Sequence, residues 1–168
     1  MDGVAAGAET VNPLWAPWRM QYLTGDAREN FCIFCPEGRT SPWVIHAGRT
    51  AQVVMNRFPY ANGHTLISPL RHVSMYEELG EEEIVEIGAL TARVIRVLKK
   101  LLQPRGFNLG WNIGAAAGAG IADHLHQHIV PRWDGDTNFM PVLADVRVIP
   151  EHLETTVTRF RAMFMEEI

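Results

Sequence analysis

Residues 124–130 read His-Leu-His-Gln-His-Ile-Val. Strand side chains alternate between faces, so a strand here places His124, His126 and His128 on one side and Leu125, Gln127 and Ile129 on the other. Three imidazoles on one face disfavour one another's protonation and leave neutral rings, able to ligate a metal or attack an electrophile. The plain alternative is a chance polar face at the surface. It sits poorly with the flanking Ile-Val-Pro and with the preceding loop GAAAGAGIAD, both of which point to a buried setting. That loop has three glycines and no bulky side chain before Ile121. Small residues allow close backbone approach to a phosphate and present N–H donors, although a simple mobile hairpin loop would look similar.

The rest of the chain supplies elements around this strand. Residues 43–46 (WVIH), 51–56 (AQVVMN) and 64–69 (HTLISP) are short runs rich in apolar and β-branched residues, separated by turn signals, and read as three antiparallel strands. From Glu81 to Leu102 the residues Ile84, Ile87, Leu90, Val94, Leu98 and Leu101 recur at helical spacing. Acids open this segment, Lys99 and Lys100 close it, and Pro104 and Gly106 mark its end. Residues 107–114 and 124–133 read as two further strands, paired as a hairpin around the small-residue loop. A turn follows at Trp133 to Asp136. Leu153, Val157, Phe160 and Phe164 then predict a terminal helix, packed on the body or on a second subunit. The expected fold class is α+β, an antiparallel sheet of about five strands with a long helix and a C-terminal helix.

The 168 residues fit one compact domain. Residues 1–12 are expected to be a flexible tail, and 13–168 a single domain whose segment 14–23 (LWAPWRMQYL) forms an aromatic arm, on the plain reading a core or dimer contact and on the sharper one the lining of a substrate pocket. The net charge of −4 gives no electrostatic reason to expect binding to long nucleic acid or an anionic membrane, so any phosphate must be gripped locally and the partner is expected to be small. No apolar run approaches the ~20 residues of a bilayer span and the start lacks a basic region followed by an apolar stretch, so a cytoplasmic location is expected. Cys32 and Cys35 are the only cysteines, and their CxxC spacing points to metal or redox chemistry more than to a disulfide framework.

The triad run, together with Asn62-Gly63-His64 followed by TLISP, resembles the histidine-triad family, and the resemblance extends over residues 14–133. It implies that His126 attacks the α-phosphorus of an adenine nucleotide or dinucleoside polyphosphate and forms a nucleotidyl-histidine intermediate. His128 and His64 would donate hydrogen bonds to phosphate oxygens, assisted by the backbone of Gly118, Ala119 and Gly120. Asn56 matches the asparagine that binds ribose hydroxyls, and Asn112 a residue that holds the phosphate chain. Gln127 departs from the family's usual apolar residue; pointing away from the triad face, it is expected to affect packing or specificity.

In the zinc-binding subgroup the residues matching Cys32, Cys35, His72 and His124 hold a structural zinc, a Cys2His2 set that would tie the N-terminal arm to the sheet. The bland reading is a pair of buried thiols with His72 as an ordinary surface residue. His46 and His152 match no motif and are expected to be structural or exposed. The aromatic arm, the cysteine pair and the ending HIVPRW look most like bacterial members that include diadenosine tetraphosphate phosphorylases. Transfer to inorganic phosphate would give ADP and ATP. Dinucleoside polyphosphate hydrolysis, nucleoside phosphoramidase activity and non-catalytic nucleotide sensing are the alternatives. By the same resemblance the chain is expected to form a homodimer.

Overall fold

A computed structural model describes residues 32–36, 41–136 and 151–167. The predicted tail and aromatic arm lie outside these residues. Five strands form one sheet: β1 (Val44–Ala47), β2 (Ala51–Met55), β3 (Thr65–Pro69), β4 (Gly106–Trp111) and β5 (Gln127–Arg132). Their spatial order is β1-β2-β3-β5-β4, with every pair antiparallel. Strand β5, which carries the last histidine of the triad, therefore sits inside the sheet, between β3 and β4. Leu66 and Gly110 are the register partners of His128 on either side.

Helix α1 (Glu81–Leu102) crosses one face of the sheet. Its first turn is fastened by Glu83, whose carboxylate accepts the Gly80 N–H at 2.8 Å and the Arg71 Nη2 donor at 2.7 Å. Ile87, Leu90, Val94, Val97 and Leu98 are buried, whereas Ile84, expected in the same stripe, is 43% exposed. At the C-terminal end Gln103, not a glycine, takes the left-handed conformation at φ 49°. Pro104 disfavours continued right-handed helix at the residue before it, and the helix ends at Leu102 as expected.

Ala51, Val53, Met55, Ile67 and Ile129 of the sheet meet Val94, Val97 and Leu98 of α1 in the main core. The C-terminal helix α2 (Leu153–Glu166) completes it by inserting Phe160 and Phe164, both fully buried. Arg161 ties α2 to the sheet edge by donating to the carbonyls of Pro42 and Val44 at 2.6 and 2.9 Å. The apolar stripe of α2 is thus satisfied within its own chain. Among the described residues no helix is long and apolar enough to cross a membrane.

The ends of β5 differ from expectation. The ladder starts at Gln127, leaving His124 and His126 just ahead of the strand. The cause is β3, which ends in Pro69, a residue with no amide donor to extend the pairing. Leu125 donates instead to the Val73 carbonyl, at 2.7 Å. The strand before the loop likewise stops at Trp111, which leaves Asn112 outside the ladder and at the edge of the histidine face.

Candidate active site

The face opposite α1 carries the histidines. Gln127 marks the division, because its Oε1 accepts the Thr91 hydroxyl of α1 at 2.7 Å while the side chains before and after it face the other way. The His126 and His128 ring centroids lie 5.0 Å apart, and His64 comes from β3 to within 5.2 Å of His128. The structure thus brings together three histidines that span 64 positions of sequence.

Main-chain partners fix the tautomers. The Tyr60 amide, which can only donate, reaches His64 Nδ1 at 3.0 Å, so the proton of the neutral His64 ring resides on Nε2. Nε2–H then donates to His128 Nδ1, 3.0 Å away. In this relay His128 carries its proton on Nε2, 3.4 Å from Asn112 Nδ2; because that amide nitrogen can only donate, the Asn112 amide pairs with this N–H when turned to present its oxygen. The Asn56 amide also reaches His64 Nδ1, at 3.2 Å. A backbone N–H at one end therefore dictates a donor at the other end of a two-ring relay.

His126 is set the opposite way. Its Nδ1 lies 2.8 Å from the His124 carbonyl, which can only accept, so Nδ1 holds the proton and Nε2 keeps the lone pair. Burial pushes the His126 pKa down, and the hydrogen bond to the His124 carbonyl offsets only part of that shift. The site pairs a neutral imidazole presenting a lone pair with a neighbouring imidazole presenting an N–H.

The small-residue loop forms a turn of three-ten helix at Ala115–Ala117, bracketed by Gly114 and Gly118 at φ 76° and 78°. Both values lie in the left-handed region that favours glycine. Gly118 spends its N–H on the Ala115 carbonyl at 3.0 Å, so at this residue the loop contributes conformation and not a donor. Beyond Ala119 and Gly120, Ile121 packs against the small cluster of Phe34, Val54 and Leu66.

Beside the triad, Cys32, Cys35, His72 and His124 place one ligand atom each within 4.8 Å of one another. Cys32 Sγ lies 3.3 Å from His124 Nδ1, and Cys35 Sγ lies 3.2 Å from His72 Nδ1 and 3.7 Å from His124 Nδ1. A tetrahedral zinc with ordinary Zn–S and Zn–N bonds needs S···N edges of about 3.6 Å, so the donor set fits that ion. His124 Nε2 donates to the Pro69 carbonyl at 3.0 Å, which leaves Nδ1 as the ligating atom and orients the ring. The Cys2His2 cluster is therefore compatible with a zinc site. A separate concavity at the start of α1 is lined by Glu81, Glu82 and Glu83 together with Arg49 and Arg71, and both guanidinium groups are engaged by carboxylates, Arg49 by Glu82 at 3.3 Å and Arg71 by Glu83 at 2.7 Å.

Several contributors escaped the sequence reading. Tyr60 lies in the Pro-Tyr-Ala-Asn-Gly stretch that read only as a turn; its ring stacks on His128 and packs against His64 at 4.6 Å. Phe34, hidden between the two cysteines, touches both His124 and His126. His46 packs on Phe164, and burial together with the Arg93 charge lowers its pKa. His152 caps α2 through its carbonyl, which accepts the Thr156 N–H at 3.1 Å.

The HIT domain family matches residues 42–135. The AP-4-A phosphorylase of Mycobacterium tuberculosis is 37% identical over 154 residues, 85% of this chain and 79% of that protein. The asymmetrical bis(5'-nucleosyl)-tetraphosphatase of Schizosaccharomyces pombe is 28% identical over 93 residues, 55% of this chain and 50% of that protein. Among solved structures, a Zn-bound histidine triad family protein from Mycobacterium smegmatis superposes with a TM-score of 0.63 at 26% identity, over 77% of this chain and 88% of that one.

Proposed function

This chain belongs to the HIT domain family, and on that premise we propose that it transfers a nucleotidyl group from a dinucleoside polyphosphate to inorganic phosphate, converting diadenosine tetraphosphate to ADP and ATP. His126 Nε2 attacks the α-phosphorus. A P–N bond forms, the bond to the bridging oxygen breaks, and ATP departs. Phosphate then attacks the same phosphorus, the P–N bond breaks, and ADP leaves with the imidazole restored. The observation that carries this reading is the tautomer of His126: its Nδ1–H is held by the His124 carbonyl, which leaves Nε2 as a nucleophile at neutral pH.

His128 presents its Nε2–H to the phosphate oxygens where charge grows, and His64 is the group that keeps that proton in place. Asn112 holds the phosphate chain and Asn56 the ribose. Ala119 and Gly120 bring backbone close to the phosphates, with Gly118 shaping the turn. Cys32, Cys35, His72 and His124 hold a structural zinc, whose chemistry is confined to cross-linking the cysteine loop to the sheet. By the same family reading the chain pairs with a second copy.

Phosphate is favoured over water as acceptor by the similarity to the phosphorylase across most of both chains. Incubation with diadenosine tetraphosphate, with and without inorganic phosphate, tests the choice. Phosphate-dependent ADP is the expected product. AMP formation would assign the chain to hydrolysis, and nucleotide binding without turnover would make it a sensor.

A further inference from the structure

Phe34 and Gln52 form an arrangement that the reaction described above does not use. Phe34 lies between the two cysteines and is fully buried. Its ring centroid is 5.0 Å from that of His126 and 5.2 Å from that of His124. The Phe34 carbonyl accepts a hydrogen bond from Gln52 Nε2 at 2.6 Å, and the same nitrogen lies 3.1 Å from Ser68 Oγ. Gln52 is itself fully buried in β2, and its Oε1 has no hydrogen-bond partner among the described residues.

A buried amide oxygen without a partner is unfavourable, and an apolar residue at this second position of a five-residue buried strand would avoid it. What the glutamine brings to this position is an amide donor that holds the main chain of Phe34 and also reaches Ser68 Oγ. Phe34 in turn confines the His126 ring from the side of the cysteine loop. The hydrogen bond to the His124 carbonyl anchors only one nitrogen of that ring, and rotation about that anchor is what a flat neighbour restricts.

We propose that Phe34, locked by Gln52, is a positioning residue for His126, so that the cysteine loop orients the nucleophile as well as stabilising the fold. This rests on His126 being the nucleophile, as argued above. Misplacement of a reacting group by about 1 Å can cost on the order of a hundredfold in rate, which is the scale on which such a support acts.

The test uses Phe34→Leu, which keeps an apolar plug but removes the ring, and Gln52→Met, which keeps the length but removes the donor. Each is compared with the wild-type protein at verified metal content. Expected results are a fall in kcat of about tenfold to a hundredfold with KM within about twofold, and an imidazole 15N spectrum in which the His126 nitrogens move from a single Nδ1–H form towards a mixture. Wild-type 15N signals and wild-type kcat in the folded variants would overturn the proposal, leaving Phe34 as core filling alone. If Phe34→Leu does not fold, Gln52→Met decides by the same two readouts. A wild-type protein without turnover would sink the nucleotidyl-transfer reading, and the 15N spectra would still report whether Phe34 orients the ring.

Discussion

His126 donates its Nδ1–H to the main-chain carbonyl of His124, 2.8 Å away and two residues back in the chain. The acceptor belongs to the backbone and cannot change protonation state, so the lone pair on Nε2 is a consequence of chain path and not of a second titrating group. His126→Asn should therefore lower turnover of diadenosine tetraphosphate by ~10³–10⁶, with nucleotide affinity changed little. Product formation and equilibrium binding measured on the same preparation check both halves. Substantial residual turnover would assign the nucleophile elsewhere.

Gly63 precedes His64 with φ +77°, and a Cβ there would stand 2.6 Å from Leu102 Cδ1 and 2.8 Å from Leu98 Cδ2. The left-handed backbone favours glycine here, and a side chain would also force the two leucine methyls of α1 to move. Gly63→Ala should destabilise the fold by about 1–3 kcal/mol and should also weaken catalysis, because the displaced turn carries His64. Urea unfolding measures the first effect and kcat the second. Unaltered stability would mean that the turn relaxes freely.

Glu86 anchors the turn between β1 and β2. Burial pushes its carboxyl pKa up, but the Thr50 hydroxyl and the amides of Arg49, Thr50 and Ala51 outweigh that effect, and the pKa is lowered overall. The folded state thus binds the ionised form preferentially. Its stabilisation is fully present above the ordinary carboxylate range and is lost as pH falls through the lowered folded value. Glu86→Gln should cost about 1.5–3 kcal/mol at pH 7 and flatten the acid limb of the stability curve. Denaturation midpoints from pH 7 down to about pH 3 check it; a variant whose acid limb keeps the wild-type slope would contradict this account.

Metal content separates the two histidine sets. Cys35→Ser and His72→Ala should each lose the metal, against about one zinc per chain in the wild type, and melt at least about 5 °C lower. His126→Asn should keep its zinc, since its Nδ1 bonds a carbonyl and its ring is absent from the ligand cluster. Elemental analysis alongside thermal melts decides this. A metal-free wild type of undiminished stability would reduce Cys32 and Cys35 to ordinary thiols.

Where side-chain spacing has a period, the sequence was most legible, although Ile84 stands exposed at the head of its stripe and the β5 ladder starts only at Gln127. Alternation alone puts His126 and His128 on one face with Gln127 on the other, and the 3.6-residue repeat from Ile87 to Leu98 marks a helix that buries one stripe. Both are consequences of local backbone geometry. That β5 lies between β3 and β4, that His64 reaches across to His128, and that Cys32 meets His124 over 92 positions are not local. They depend on which surfaces the chain buries together. The tautomers of His126 and His64 belong to the same category, because the groups that fix them are the carbonyl of His124 and the amide of Tyr60. Nearly every residue carries such groups, so only the folded path of the chain decides which of them an imidazole meets.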